Sequence, residues 1–293
     1  MKKTVNIHEV GPRDGFQNLK EYIPLEEKIE IIDRIIATGI KHIQITSLVS
    51  PKAIPQMKDA REVAEQCLKK YPDIDLYVLI PNLYGAKSAY EIGIKKVSNV
   101  ISLSQSHNKA NINRTHEESL DELKKIKENY PSLEVIVDVA TTFGCPFEGK
   151  FSIDQILNFI KRLYQLGIRT FNLCDTVGVA NPDQTKDIIK AVKEVFVDCN
   201  FQAHFHDTRN NGIVNSIAAI ECGIYDIQTT LGGLGGCPFA PGASGNTATE
   251  DLAYLLNDMG YSTGIDIKEL IVLSKYQYSK IAGNYSGHQL YIK

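Results

Sequence analysis

The run Ala203-His204-Phe205-His206-Asp207-Thr208 sets two imidazoles two residues apart among apolar neighbours. If Phe201 to Phe205 is a strand, side chains alternate with period two, so His204 and His206 share one side and Phe205 takes the other. Two imidazoles on one side of a strand end supply half of a divalent-metal site. An isolated His-x-His pair is also two ordinary polar residues at a strand exit, so the other ligands decide. Asp14 is the leading carboxylate, and Asn246 can add an amide oxygen. Two nitrogens and two oxygens, with two positions left for substrate, suit Mg2+ or Mn2+ in an octahedral shell. Zinc is less favoured, because no thiolate is an obvious ligand. The bland alternatives are turn roles for Asp14 beside Gly15 and for Asn246 beside Gly245.

Arg13 adjoins Asp14 but offers different chemistry. A guanidinium stays charged and donates in a fork, so beside a cation it could hold a carbonyl oxygen that becomes an enolate. Pairing with Glu9 is its bland alternative. Cys237 follows a glycine-rich stretch, Gly232 to Gly236, of the kind that can close over a site. A thiol there serves as a general acid or base if its pKa is tuned, and otherwise is a plain thiol. Cys145, Cys174 and Cys222 read as small packed hydrophobes.

These residues need a frame that brings them together. Eight apolar runs read as strands, at about Val5–Glu9, His42–Thr46, Leu76–Ile80, Val97–Leu103, Glu134–Ala140, Thr170–Cys174, Phe201–Phe205 and Asp226–Thr230. Helical patterns separate them. Leu25, Ile29, Ile32 and Ile36 recur at helical spacing, and Ser152-Ile153-Asp154 opens a helix carrying Ile156, Phe159, Ile160 and Leu163. A Gly-Ile phrase at Gly39, Gly93, Gly167 and Gly223 ends a helix and leads straight into a strand. Alternating βα units of this number predict an α/β fold, a (β/α)8 TIM barrel, with a doubly wound open sheet as runner-up. The open sheet is disfavoured in its dinucleotide-binding form, since no Gly-x-Gly-x-x-Gly opens the first unit. The domain expectation is a single barrel over residues 1–293 with a C-terminal helical extension from about 265, namely a helix Ile267 to Ile281 and a polar end expected to fray. A barrel keeps its active groups on the loops after the strands. Every strand but the fifth exits into residues capable of chemistry, which strengthens the metal reading of His204 and His206.

Composition bounds the partners. With 43% hydrophobic and 23% charged residues and a net charge of -3, the chain gives no reason to expect nucleic acid or an anionic membrane surface. No apolar run approaches the ~20 residues of a membrane span, and the Met1-Lys2-Lys3 start reads as the entrance to a strand, not a signal peptide. Six scattered cysteines without a Cys-x-x-Cys pair fit reduced thiols, so a cytoplasmic protein is expected.

The motifs also resemble a known family. Glu9-Val10-Gly11-Pro12-Arg13-Asp14-Gly15-Phe16-Gln17, Thr46 to Lys52, Phe143 to Gly149, Asp175-Thr176-Val177-Gly178, the His204 run, and Gly232 to Asn246 are similar to those of hydroxymethylglutaryl-CoA lyases, in the right order over nearly the whole chain. The resemblance implies a metal-dependent carbon–carbon lyase acting on an acyl-CoA thioester. Residues matching Asp14, His204, His206 and Asn246 would bind the divalent cation. Arg13 would stabilise the enolate, and Cys237 and Asp175 would take part in proton transfer. The reaction implied splits 3-hydroxy-3-methylglutaryl-CoA into acetyl-CoA and acetoacetate. A homodimer is compatible with the resemblance. This chain departs from the family at Gln44 and Gln105, where glutamate is usual, and at Ile136, where some members have arginine. Gln44 belongs to the expected site, and its lost charge points to a retuned substrate. The alternatives are a related lyase or aldolase on another 3-hydroxyacyl substrate, a Claisen-type condensing enzyme, and a non-catalytic metabolite binder. The Gly-Cys-Pro stretch at Gly236-Cys237-Pro238 favours the lyase.

Overall fold

A computed structural model describes residues 3–236 and 245–293. Cys237 therefore lies outside the described residues. Eight strands close in sequence order into a barrel, every pair parallel: β1 (Asn6–Glu9), β2 (His42–Ser47), β3 (Asp75–Leu79), β4 (Lys96–Ser102), β5 (Glu134–Ala140), β6 (Thr170–Asp175), β7 (Asn200–Phe205) and β8 (Asp226–Thr229). Each falls within about two residues of its sequence expectation. The open doubly wound sheet is excluded, because β8 pairs with β1 from Asn6↔Asp226 to Glu9↔Thr229.

Ten α-helices stand among the described residues: α1 (Leu25–Ala37), α2 (Ala60–Lys70), α3 (Leu83–Ile92), α4 (Gln105–Ile112), α5 (His116–Asn129), α6 (Ile153–Gln165), α7 (Pro182–Val195), α8 (Gly212–Glu221), α9 (Thr249–Asp258) and α10 (Ile267–Lys280). Local chemistry starts and stops them. The Ser152 hydroxyl accepts from the Gln155 amide while the Gln155 side chain accepts from the Ser152 amide, a reciprocal cap that begins α6. The Gly-Ile phrase works as its chemistry demands: Gly39, Gly93, Gly167 and Gly223 all have φ between 82 and 100, a left-handed conformation that glycine adopts without strain. One helical face differs from the expectation. In α1 the fully buried residues are Ile31, Ile32 and Ile35, while Leu25, Ile29 and Ile36 are only partly buried against the core. An apolar run this dense offers two overlapping stripes, and the neighbouring helices select one.

The apolar core is the ring between sheet and helices, where Ile43, Val78, Val97, Val137, Phe171 and Ala203 point outward from the strands. Each fully buried side chain of this size contributes about 1.5–3 kcal/mol. The opposite faces line the barrel interior, and they are polar: Gln44, Tyr77, Ser98, Asn172, Gln202 and Gln228 are all buried. Branched aliphatics usually fill that space. A polar lumen must satisfy its groups by hydrogen bonds, and the exceptions locate the site. The tail departs from the frayed end expected. Gly287 N donates to Gly232 O at 2.9 Å, Gly235 N donates to Asn284 O at 3.2 Å, and His288 N donates to the Asp251 carboxylate at 2.6 Å. None of the described helices is long and apolar enough to cross a membrane.

Candidate active site

β1 ends at Glu9, and the chain turns at once through a single wide helical turn, Gly11–Gly15, that carries Arg13 and Asp14. Glu9 sets this turn. Its Oε1 accepts from Gly11 N at 2.8 Å and Leu231 N at 2.9 Å, and its Oε2 from Thr249 Oγ1 at 2.6 Å. A Cβ on residue 11 would lie 2.6 Å from Glu9 Oε1, so only glycine lets the turn approach the carboxylate. Burial pushes the Glu9 carboxyl up to about 7 despite these bonds. Glu9 therefore belongs to the scaffold and does not pair with Arg13.

Arg13 instead donates from Nη1 to Asp14 Oδ1 and from Nε to Gln44 Oε1. Across the mouth, His204 is the last residue but one of β7, and the segment Gly245–Thr247 runs alongside the strand's exit: Asp207 N donates to Gly245 O at 3.0 Å and Thr247 N to Phe205 O at 3.2 Å. His206 and Asn246 are thereby paired as an antiparallel bridge. The result gathers Asp14, His204 and His206 so that one ligand atom from each lies within 4.8 Å of the others. Asn246 joins them, its Nδ2 donating to Asp14 Oδ2 at 2.7 Å.

This donor set fits a divalent cation. His204 Nδ1 lies 3.2 Å from Gln228 Oε1, which can only accept, so Nδ1 carries the hydrogen and Nε2 keeps its lone pair. Burial, then the neighbouring His206, pushes His204 down to about 4, and burial likewise lowers His206, so both imidazoles are neutral at physiological pH. Burial raises the Asp14 carboxyl, but the adjacent Arg13 guanidinium leads the opposing effects, with the Asn246 hydrogen bond among them, and the net shift is downward. Among the described residues Asn246 Oδ1 is buried without a hydrogen-bond partner, an oxygen that a cation would satisfy. Two neutral imidazoles, a carboxylate and an amide oxygen suit a hard or borderline divalent ion.

The other expected residues fall differently. Gln44 meets the cavity through Arg13: besides accepting from Arg13, its Nε2 donates to Ser98 Oγ at 2.7 Å. Asp175, at the end of β6, accepts from Val179 N at 2.9 Å and Ala180 N at 3.0 Å, one on each oxygen. It shapes the loop after β6 and acts on His206 through charge, while the adjacent Thr176 lines the cavity. Gln105 lies apart from these residues. It is exposed at the start of α4, where its Oε1 accepts from His116 N at 2.9 Å, so its lost charge is not one lost from the cavity. Ile136 is buried in the lumen on β5, two residues before Asp138.

A cavity of about 470 Å3 opens at this end of the barrel, lined by Arg13, Asp14, His204 and His206 and, deeper, by Asp138 and Asn172. Sequence reasoning missed Asp138, Asn172, Ser98 and Gln228. Each is a polar residue at an inward position of its strand, alternating with apolar residues that point outward (Val97, Val137, Phe171 and Ile227), and that alternation is the signal that could have found them.

Comparison with known proteins bears on this geometry. The family model described as HMGL-like matches residues 4–276. A hydroxymethylglutaryl-CoA lyase of Bacillus subtilis is 38% identical over 281 residues, spanning 95% of this chain and 94% of the relative. The human mitochondrial hydroxymethylglutaryl-CoA lyase is 39% identical over 273 residues, 92% of this chain and 84% of its own. Among solved structures, an HMG-CoA lyase from Acinetobacter baumannii, in complex with coenzyme A and 3-methylmalate, superposes with a TM-score of 0.91 at 39% identity, covering 97% of this chain and 93% of the other.

Proposed function

The chain belongs to the HMGL-like family, and on that premise we propose that it is a divalent-metal-dependent carbon–carbon lyase that cleaves a 3-hydroxy-3-methylglutaryl-CoA-like thioester into acetyl-CoA and a 3-keto acid. The observation that carries this reading is the convergence of Asp14, His204, His206 and the unpartnered Asn246 Oδ1 beside Arg13 at the barrel mouth. A cation held by Asp14, His204, His206 and Asn246, which we take to be Mg2+ or Mn2+, would supply a Lewis acid for the substrate's oxygens.

The chain's own residues do the rest. Arg13 is fixed by Gln44 and Asp14, so its fork needs no reorganisation to meet charge developing on the thioester carbonyl. The C3 hydroxyl loses its proton, the C2–C3 bond breaks to leave a ketone, and the electron pair becomes the acetyl thioester enolate. A proton returned to C2 completes acetyl-CoA. We assign that proton to Cys237, and to Asp175 a part in proton transfer exerted through His206, whose charge it influences. An acyl-CoA substrate, a cytoplasmic site of action and a homodimer complete the proposal, the last testable by light scattering.

The decisive experiment is release of acetyl-CoA from a panel of 3-hydroxyacyl-CoA thioesters with added Mn2+ or Mg2+. Turnover that EDTA abolishes and metal restores is expected. Metal-loaded protein that releases acetyl-CoA from none of them would leave a metabolite binder.

A further inference from the structure

Beneath Arg13 and Asp14 the cavity does not end in hydrocarbon. Asp138 lies two residues inside the C-terminal end of β5, deeper in the barrel than the loop residues, and is 4% exposed. Asn172 is its registered neighbour on β6 and is 1% exposed. Asn172 Nδ2 donates to Asp138 Oδ1 at 2.8 Å. This bond fixes the amide's orientation, since the flipped form would set oxygen against carboxylate. Among the described residues it leaves Asn172 Oδ1 buried without a partner, and Asp138 Oδ2 buried without a hydrogen bond of regular geometry, the Ser98 hydroxyl being the one other group that acts on the carboxyl as a donor. Both residues line the cavity. Polar atoms this deep are ordinarily hydrogen-bonded, so the floor presents two acceptors waiting for a donor.

The donor's chemistry follows from the charges around it. A carboxylate on the ligand would face Asp138 and Asp14. An ammonium would face Arg13, whose charge already acts on Asp138. A neutral hydroxyl meets neither objection. Gln44 fits the same picture. Its Nε2 donates to Ser98 Oγ, which frees the Ser98 hydrogen to turn towards Asp138. A glutamate at 44 could only accept, and would compete with Asp138 for that one hydrogen and for Arg13.

We propose that Asp138 and Asn172 form a subsite for a hydroxyl on the acyl group, so that the preferred substrate is a 3-hydroxyacyl-CoA carrying a second hydroxyl on its C3 branch. The assignment rests on the lyase reading and specifies its substrate. The C3 branch is assigned to the floor because the C3 oxygen and the thioester carbonyl are assigned to the cation ligands and Arg13, and Asp138 and Asn172 line the same cavity.

The test uses two thioesters that differ by one oxygen, 3-hydroxy-3-methylglutaryl-CoA and 3-hydroxy-3-(hydroxymethyl)glutaryl-CoA. With Mn2+-loaded protein, kcat/KM should favour the hydroxymethyl compound by about 10- to 100-fold, the range for satisfying buried polar groups otherwise left unpaired. Asp138→Asn keeps the shape and a partner for Asn172 but can turn an NH2 towards the ligand, and should bring the ratio to within about threefold of one. Calorimetric titration of both thioesters into both proteins reads the same preference without turnover. Equal binding and equal kcat/KM of the two thioesters in the natural protein would overturn the subsite, as would a preference that Asp138→Asn leaves intact. Selective binding of the hydroxymethyl compound without acetyl-CoA release would keep the subsite and sink the lyase reading.

Discussion

The two ends of the barrel hold the same kinds of residues and use them differently. At the N-terminal end, His8 Nε2 meets Asp226 at 2.9 Å, His42 Nδ1 meets Asp75 at 2.8 Å, and Lys96 Nζ meets Asp75 at 2.7 Å. Asn6 adds a bond to Asp226 at 3.0 Å, and the two imidazoles stack with centroids 4.6 Å apart. Each carboxylate there has its partners. Burial raises Asp75, but hydrogen bonds from His42 and Lys96 more than offset it and hold the group at about 2. His8 Nδ1 lacks a partner, and burial keeps that imidazole neutral. At the C-terminal end, by contrast, Asn246 Oδ1 at the mouth and Asn172 Oδ1 and Asp138 Oδ2 at the cavity floor lack a hydrogen bond of regular geometry among the described residues. A cluster of His and Asp therefore does not mark a site by itself. Unfilled acceptors beside a cavity do, because a closed network has no capacity left for a ligand.

Substitutions at each end put numbers on that contrast. The largest effect belongs to the mouth. Asp14→Asn removes the charged ligand from the cation set and Arg13's partner, and should lower kcat/KM by roughly 10^3-fold or more while weakening Mn2+ binding in a titration. Unchanged Mn2+ affinity would remove Asp14 from the set and erase the contrast.

Next comes Cys237→Ala, expected to lower kcat by about 10^2-fold with KM little changed, the signature of a lost acid–base group. A variant as fast as the natural protein would return Cys237 to a bystander.

A smaller effect sharpens the account of the barrel floor. Gln44→Glu should turn the Ser98 hydrogen away from Asp138 and lower kcat/KM on the hydroxymethyl thioester by ~10-fold, without improving cleavage of 3-hydroxy-3-methylglutaryl-CoA. A large gain on the methyl compound would show that the departure at 44 is drift and not retuning.

The smallest catalytic effect belongs to the other end. Asp226→Asn should leave kcat/KM within about threefold and lower Tm by about 2–6 °C, the scale of one charge-assisted hydrogen bond in a chain of this size. Its pH dependence has a definite sign. Burial raises the Asp226 carboxyl, but His8 and Asn6 outweigh it and the net shift is downward from 3.8. The fold favours the ionised form, so its contribution is present above that ordinary value and is lost as pH falls below it. The Tm gap between natural protein and variant should thus be full at pH 6 and shrink below pH 4. An activity loss exceeding the stability loss would mean that the two ends are coupled.

Much of this protein was legible in one dimension. Strand positions, the Gly-Ile caps, the Ser152 cap of α6 and the shared face of His204 and His206 depend on side-chain alternation and on hydrogen bonds reaching three or four residues. A sequence displays those directly. The orientation of α1 was not settled there, because its apolar run supports more than one stripe and only neighbouring helices choose between them. Nor was the use of Asp175 and Gln105, whose oxygens are taken by nearby backbone amides that no residue type announces. The site itself arises from closure. Asn246 reaches Asp14 across 232 residues only because β8 returns to β1, and Arg13 reaches Gln44 across 31 because β1 pairs with β2. Which polar groups remain unpartnered is decided by every neighbour at once, so the inward positions of Asp138 and Asn172 are visible in their strands while their free oxygens are set only when the barrel is complete.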